Sequence, residues 1–273
     1  MPDQASKEYA RGLARAFGGA LIFGFPILMT MEMWWLGFYM SRFRLALFLA
    51  LTIPILVGLS HFAGFEKTFR WRDDAMDALA AFAVGFIASA AMLALFGVLT
   101  FDMSLGEIIG KVAVQSVPAS IGAMLARKQL GSREDPEEEQ KKEASYAGEL
   151  FLMVAGALFV AFNVAPTEEM ILIAFRMTPW HALMLALVSM AVLHVLVYTV
   201  GFAGQEAWPQ NGGFWSVFLR FTVAGYGIAL LISFYILWTF GRIDDTAVLQ
   251  IAMTTVVLGF PSALGAAMAR LVV

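Results

Sequence analysis

The sequence contains no cysteine, so disulfides, thiolate metal sites and cysteine nucleophiles are excluded. Charge is also scarce: Asp, Glu, Lys and Arg make up 14% of the chain, whereas soluble proteins carry about 25%. No polybasic stretch is long enough to indicate nucleic-acid binding. Hydrophobic residues reach 60%, and a soluble domain of this composition would have no way to cover its surface.

Long apolar segments alternate with short charged breaks along the chain. A helix needs about 20 apolar residues to cross the hydrocarbon core of a bilayer. This length predicts eight transmembrane helices, at about residues 16–39, 45–65, 77–100, 105–126, 147–175, 180–204, 214–240 and 246–270. We therefore expect an all-α, polytopic membrane protein in contact with the lipid bilayer.

The two halves of the chain resemble each other at matched positions. Gly-Ala-Leu-Ile-Phe-Gly-Phe at 19–25 aligns with Gly-Ala-Leu-Phe-Val-Ala-Phe at 156–162. Near the ends of the halves, Pro-Ala-Ser-Ile-Gly-Ala-Met-Leu-Ala-Arg at 118–127 aligns with Pro-Ser-Ala-Leu-Gly-Ala-Ala-Met-Ala-Arg at 261–270. Matches in the same order along the chain indicate an internal repeat.

The repeat predicts four sections of chain. They are a cytoplasmic N-terminal segment at 1–15, a four-helix repeat at 16–126, a charged cytoplasmic linker at 127–146 and a second four-helix repeat at 147–273. An even number of helices gives both halves the same orientation, as in parallel-repeat transporters. Lys and Arg divide thirteen to five in favour of the side that holds the N-terminus. The positive-inside rule then predicts that both termini are cytoplasmic.

Two acids align in the repeat, and both fall inside predicted spans. They are Glu32 and Glu169, and the matched residues Thr30 and Thr167 precede them. A charge at the centre of a bilayer costs at least about 2.5–3.5 kcal/mol on insertion scales, so an intramembrane acid indicates function. Two facing carboxylates cannot both be ionised cheaply without a cation between them. We therefore predict a site at these residues for a cation or a proton.

The second copy of this motif is richer in oxygen atoms. Asn163, Thr167, Glu168 and Glu169 lie within seven residues, around Pro166. Proline removes a backbone N–H from a helix and frees the carbonyl four residues earlier. Transporters build cation sites from broken helices of this kind, and hard cations prefer oxygen ligands. A structural alternative stays open, in which an acid pairs with Arg or a backbone group and only holds helices together; any metal stays unidentified.

Four other titratable residues are candidates for supporting roles. His61 and His194 lie within predicted spans and suit a proton relay near neutral pH, or they form interhelical hydrogen bonds. Glu66 and Glu206 align in the repeat at the cytoplasmic ends of spans. They are either gates or solvated acids at helix ends.

The string Asn-Val-Ala-Pro-Thr-Glu-Glu at 163–169 and the paired Pro-small-small-apolar-Gly ends resemble a bacterial family of integral membrane proteins of unknown function. The resemblance covers nearly the whole chain and implies a location in a bacterial inner membrane, without an activity. The motif chemistry is also similar to that of cation/calcium exchangers. Those proteins have larger, inverted halves, so the similarity is an analogy of chemistry.

The sequence favours a cation transporter or channel, with proton coupling as one version, formed by a single compact carrier or by a homodimer. We expect no cofactor and no nucleic-acid partner. A membrane-embedded enzyme is the first alternative, although the chain has no H-E-x-x-H motif and no intramembrane Asp pair. A sensory or binding module is the second. An anion pathway is disfavoured, because we expect no Lys or Arg inside the spans apart from Arg220.

Overall fold

The computed structural model describes residues 2–63, 71–130, 146–199, 215 and 218–272. All secondary structure in these ranges is helical, which confirms the predicted all-α fold. The α-helices are α1 (Pro2–Leu28), α2 (Met31–Tyr39), α3 (Arg42–Ala63), α4 (Trp71–Leu95), α5 (Leu105–Leu130), α6 (Tyr146–Val164), α7 (Glu168–Arg176), α8 (Pro179–Thr199), α9 (Ala224–Thr239) and α10 (Val248–Val272). A π-helical turn, Phe218–Val223, precedes α9.

Within the described residues, eight helical stretches are long and apolar enough to cross a membrane, as predicted. They are Ala10–Leu28, Arg42–His61, Trp71–Leu95, Leu105–Ala126, Tyr146–Val164, Pro179–Val197, Phe218–Thr239 and Val248–Ala269. The third begins at Trp71, so the predicted start at residue 77 was wrong. The sequence placed the charges before residue 77 in a loop, whereas the structure places Asp73, Asp74 and Asp77 within α4.

The first and fifth spans are interrupted. α1 ends at Leu28 and α2 begins at Met31, while α6 ends at Val164 and α7 begins at Glu168. The predicted continuous spans at 16–39 and 147–175 were therefore wrong at their ends. The 19 residues that remain in each span reach about 28 Å at 1.5 Å per residue, close to the thickness of the hydrocarbon core.

The chain divides into two compact units, residues 1–132 and 133–273. In the first unit α5 packs against α1, α2, α3 and α4, and most of the residues in its span are buried. In the second unit α10 packs against α6, α7, α8 and α9. The last helix of each unit is therefore the helix at its centre.

Each central helix crosses the first helix of its unit at a pair of glycines. A Cβ added to Gly19 would lie 2.5 Å from the carbonyl oxygen of Gly122, and one added to Gly122 would lie 2.7 Å from the oxygen of Gly19. Gly156 and Gly265 make the same reciprocal contact in the second unit. Only residues without a side chain let two backbones approach this closely.

α4 and α9 end in the same left-handed turn. Gly97 has φ +70° and Gly241 has φ +67°. The next residues, Val98 and Arg242, donate their backbone N–H groups to the carbonyl five residues earlier, at 2.9 and 2.8 Å. This Schellman arrangement satisfies carbonyls that the helix end leaves free, and its glycine position tolerates the positive φ.

Gly97→Ala and Gly241→Ala should each destabilise the protein by about 1 kcal/mol, because a left-handed conformation costs an L-residue about that much. Thermal unfolding of the purified chain in detergent measures the effect. Gly227→Ala is the matched control, since Gly227 lies within α9 and an added Cβ would meet nothing within 4 Å. The control should be neutral or stabilising. Equal losses in all three variants would contradict a special role for the left-handed turn.

Candidate functional site

The two breaks are built in the same way. Thr30 precedes α2, and its hydroxyl donates to the carbonyl of Ile27 at 2.9 Å. Thr167 precedes α7, and its hydroxyl donates to the carbonyl of Val164 at 2.8 Å. Neither side chain caps the helix that follows. Each threonine therefore closes the preceding helix, and the first N–H groups of the next helix receive no cap from it.

An acid follows each break at the second position of the short helix. Glu32 is partly buried on α2, whereas Glu168 and Glu169 are exposed on α7. Within the described ranges, these three carboxylates accept no hydrogen bond and form no ion pair. A negative charge at a helix N-terminus contributes about 0.3–1 kcal/mol of stability by itself. The acids therefore have a structural use even without a ligand.

Glu32 and Glu169 lie on the short helices that follow the breaks, beyond the ends of the two span-length helices, and their placement inside the membrane stays a prediction. Two further ligand candidates, Thr30 and Thr167, also lie in the breaks rather than within a helix. Asn163 is in the last turn of α6, and its Nδ2 donates to the carbonyl of Phe159 at 2.8 Å. Its Oδ1 is consequently the amide atom with capacity for a ligand.

A different side chain donates a hydrogen bond to a backbone carbonyl at each break. The indole N–H of Trp34 donates to the carbonyl of Leu28, the last residue of α1, at 2.7 Å. The guanidinium of Arg242 donates to the carbonyl of Pro166 in the second break. Pro166 lies in the break between α6 and α7, where the sequence predicted a broken helix. The Trp34 indole thus satisfies a carbonyl at the end of α1.

His61 and His194, the two histidines predicted to lie within spans, make different contacts. Nδ1 of His194 lies 2.8 Å from the hydroxyl of the buried Thr222, in the π-helical turn. Nδ1 of His61 lies 3.3 Å from a carboxylate oxygen of Asp74, and the ring stacks on Trp71 at 5.6 Å. These are interhelical contacts of the kind considered as the alternative to a proton relay. Neither contact tests the relay itself.

A cluster of polar groups surrounds Asp74, which the sequence analysis did not identify. Asp74 is 1% exposed, although it is the fourth residue of α4. The hydroxyl of Ser60 lies 3.4 Å from oxygens of both Asp74 and Asp77. Among the described residues, no group of three or more His, Asp or Glu side chains is arranged to hold a metal ion. The cluster is therefore an acid and histidine contact between α3 and α4.

The expectation that no Lys or Arg other than Arg220 lies inside a span was also wrong. Lys111 is on α5 and is 8% exposed, with Nζ 2.8 Å from a carboxylate oxygen of Glu107 and 3.7 Å from the sulfur of Met103. Because Glu107 neutralises the lysine, the pair adds no net positive charge that would favour an anion. Arg220 itself is exposed in the π-helical turn, 5.9 Å from the ring centroid of Tyr146.

Glu66, Glu206 and residues 131–145 of the linker lie outside the described residues. The gate assignment for the two acids therefore stays a prediction.

The fold and composition together define a polytopic α-helical integral membrane protein. A family model described as "Putative integral membrane protein (DUF2391)" matches residues 12–273, and the chain belongs to this family. This confirms the resemblance drawn from the sequence. No curated protein and no solved structure matches the chain. The family description thus supports a membrane location, and the function must be argued from the residues themselves.

Proposed function

We propose that the protein moves a cation or a proton across the membrane, with Glu32 and Glu169 as equivalent binding carboxylates. The observation that carries the proposal is the repetition of one break in both units. In each, a threonine hydroxyl closes a span-length helix, and an acid occupies the second position of a nine-residue helix. The two breaks therefore offer the same ligand groups, a carboxylate and a threonine hydroxyl, at matched positions of the repeat.

The chemistry of the breaks favours a cation. Carboxylates, threonine hydroxyls and the Oδ1 of Asn163 are the oxygen ligands that hard cations take. Within the described ranges the carboxylates of Glu32 and Glu169 have no cationic partner, so a bound cation or proton would neutralise them near an apolar phase. Glu168 adds a second charge at one break, about 100° around the helix from its neighbour.

The proposed orientation follows from the sequence. The distribution of Lys and Arg favours cytoplasmic termini, and the resemblance to a bacterial family favours the inner membrane. Each repeat has an even number of spans, so both repeats begin on the side of the termini. Each break follows the first span of its repeat and therefore lies on the opposite side. Either one chain or a homodimer completes the pathway.

Flux measurements on reconstituted liposomes test the proposal. Na⁺, K⁺, Ca²⁺ and proton movement would be followed for the wild type, Glu32→Gln, Glu169→Gln and the double variant. We expect each single variant to lower the flux at least about tenfold, and the double variant to add little, because residues that act on one step are not additive.

The matched control is Asp102→Asn. The hydroxyl of Thr100 lowers the pKa of the fully exposed Asp102, so this substitution removes an ionised acid from the loop before α5. It should leave the flux unchanged. Flux that is absent for every ion, or that is indifferent to both Glu32 and Glu169, would overturn the proposal. The acids would then serve only as charges at helix N-termini. A membrane-embedded enzyme or a sensory module would become the favoured interpretation.

A further inference from the structure

A stripe of polar side chains runs along α5 into the interior of the first unit. Glu107, Lys111 and Gln115 follow one another at four-residue spacing, which puts them on one face of the helix. Their exposure falls along the stripe, from 21% for the Glu107 side chain to 10% for Lys111 and 0% for Gln115. Polar groups therefore extend from an accessible end of α5 to a fully buried depth.

Gln115 ends the stripe, and its amide has no partner. Within the part of the chain that the structure describes, neither Oε1 nor Nε2 makes a hydrogen bond. The Oγ of Ser89, on α4, likewise makes no hydrogen bond among these residues, and Ser89 is also 0% exposed. Buried polar groups in folded proteins nearly always have a partner in the protein or in an ordered water. Both side chains therefore have unused hydrogen-bonding capacity for a ligand.

Contacts between α4 and α5 put these two side chains at one depth. Gly85 packs against the backbone of α5 between Ser116 and Ser120, where an added Cβ would lie 2.7 Å from the Ser120 backbone nitrogen and 2.9 Å from the Ser116 carbonyl oxygen. Two turns further along α4, Leu93 shares a hydrophobic cluster with Val112. Ser89 lies midway between Gly85 and Leu93 on α4. The buried amide of Gln115 lies in the turn of α5 between Val112 and Ser116.

α1 forms a third wall of this layer. Gly24 packs against Ala119, with a Cβ there lying 3.3 Å from the Ala119 Cβ. Ala119 is one turn from Gln115 on the same face of α5. Leu28, the last residue of α1, belongs to the cluster that contains Val112. The buried amide therefore faces the last turn of α1, next to the first break.

The second unit lacks this arrangement. In the repeat, Glu107, Lys111 and Gln115 correspond to residues 250, 254 and 258, which are Gln, Thr and Leu. Leu258 is fully buried and apolar at the position of the amide. The polar stripe is thus a property of the first unit and is not required by the shared helix packing.

We propose that the layer at Gln115 and Ser89 is an internal binding site for water, reached from the Leu105 end of α5 along Glu107 and Lys111. The ligand must both donate and accept, because Oε1 needs a donor and Nε2 carries two N–H groups that need acceptors. A cation would satisfy the oxygen alone. Water meets both demands, and buried water commonly makes about three hydrogen bonds to such groups. The site is separate from the acids at the breaks and does not depend on their function.

The absence of cysteine from the natural sequence makes single-cysteine variants unambiguous reporters of hydration. Gln115→Cys and Ser89→Cys, in the full chain reconstituted in liposomes, would react with a small, neutral, water-soluble methanethiosulfonate, with labelling followed by mass spectrometry. The control is Ser262→Cys, whose native hydroxyl is fully buried and donates to the carbonyl of Leu258 at 2.8 Å. We expect roughly tenfold or faster labelling at both sites than at the control, because only a solvated thiol forms the reactive thiolate readily.

Ser89→Cys nearly preserves the size of the side chain, so this variant tests the proposed water site even if Gln115→Cys does not fold. Labelling of Ser89→Cys at the rate of Ser262→Cys would overturn the proposal. The layer would then be dry, with the amide rotated to bond Ser89 directly. Size-exclusion chromatography of each variant separates slow labelling of a folded chain from rapid labelling of an unfolded one.

Discussion

Gly122→Val and Gly265→Val will each destabilise the protein by about 3 kcal/mol, the upper part of the range for overpacked cores. A Cβ at Gly122 would lie 2.6 Å from the Cβ of Phe23, and one at Gly265 would lie 2.6 Å from Cγ2 of Val160. Each would also meet a backbone carbonyl of the opposite helix, which cannot rotate away. The two helices would have to separate along their whole contact. Thermal unfolding in detergent measures the loss.

Gly227→Val distinguishes this clash from the ordinary effect of valine in a helix. Gly227 has open space around an added Cβ, and valine has a higher helix propensity than glycine. This variant should unfold within a few degrees of the wild type. Equal destabilisation by all three valines would refute the close crossing. Similar losses for Gly122→Val and Gly265→Val would show that the two repeats are stabilised by the same contact.

Glu107→Gln will destabilise the first unit by about 3 kcal/mol, because it leaves the ammonium of Lys111 buried without its counter-charge. The 2.8 Å ion pair is within one helix, and the lysine side chain is only 10% exposed. Lys111→Met should cost less, since Glu107 is more exposed and lies in the first turn of α5, where a negative charge is favourable. The double variant should recover most of the loss, because it leaves neither charge without its partner.

A double-mutant cycle on unfolding free energies provides the measurement. The expected coupling is favourable and changes little between low and high salt, because a buried pair is screened weakly. Asp73→Asn, at an exposed acid in the first turn of α4, is the control and should have a small effect. Additive losses from Glu107→Gln and Lys111→Met would show that the pair does not act as a unit.

Hydropathy was sufficient to find the eight spans, because a bilayer imposes one length and one composition on every helix that crosses it. It failed at the first break, since residues 31–39 are as apolar as the helix before them and contain no proline. The break there depends on contacts made after folding, from the Thr30 hydroxyl and the Trp34 indole. At the second break a local signal was present: Pro166, then a threonine and two acids that are typical of a helix start.

The buried acid on α4 was missed for a related reason. The charges around Asp74 lower the local hydropathy, so the predicted helix began at residue 77. Yet Asp74, Ala78, Ala81 and Gly85 are all buried, and their spacing of four, three and four residues marks one face of a helix. A search for small residues at helical spacing would have extended the helix back to the acid.

The matched acids at the breaks were found from the repeat alone, but their environment was not. Their depth depends on where α1 and α6 end, and those ends are set by side-chain contacts with no fixed pattern in sequence. The polar stripe on α5 was visible as a four-residue spacing from Glu107 to Gln115. Its significance depends on burial, which comes from four helices that meet around α5.

The central position of the last helix in each unit has a consequence for biosynthesis. The chain is made from its N-terminus, so Gly19 enters the membrane about a hundred residues before Gly122, its partner at the crossing. At about 5–20 residues per second, roughly 5–20 s separate the two events. Until then the inner surfaces of α1 to α4, including the hydroxyl of Ser89, face lipid or the insertion machinery. Each unit therefore completes its core only when its final segment is inserted, and a chain that stops short of α5 or α10 lacks the helix around which the others assemble.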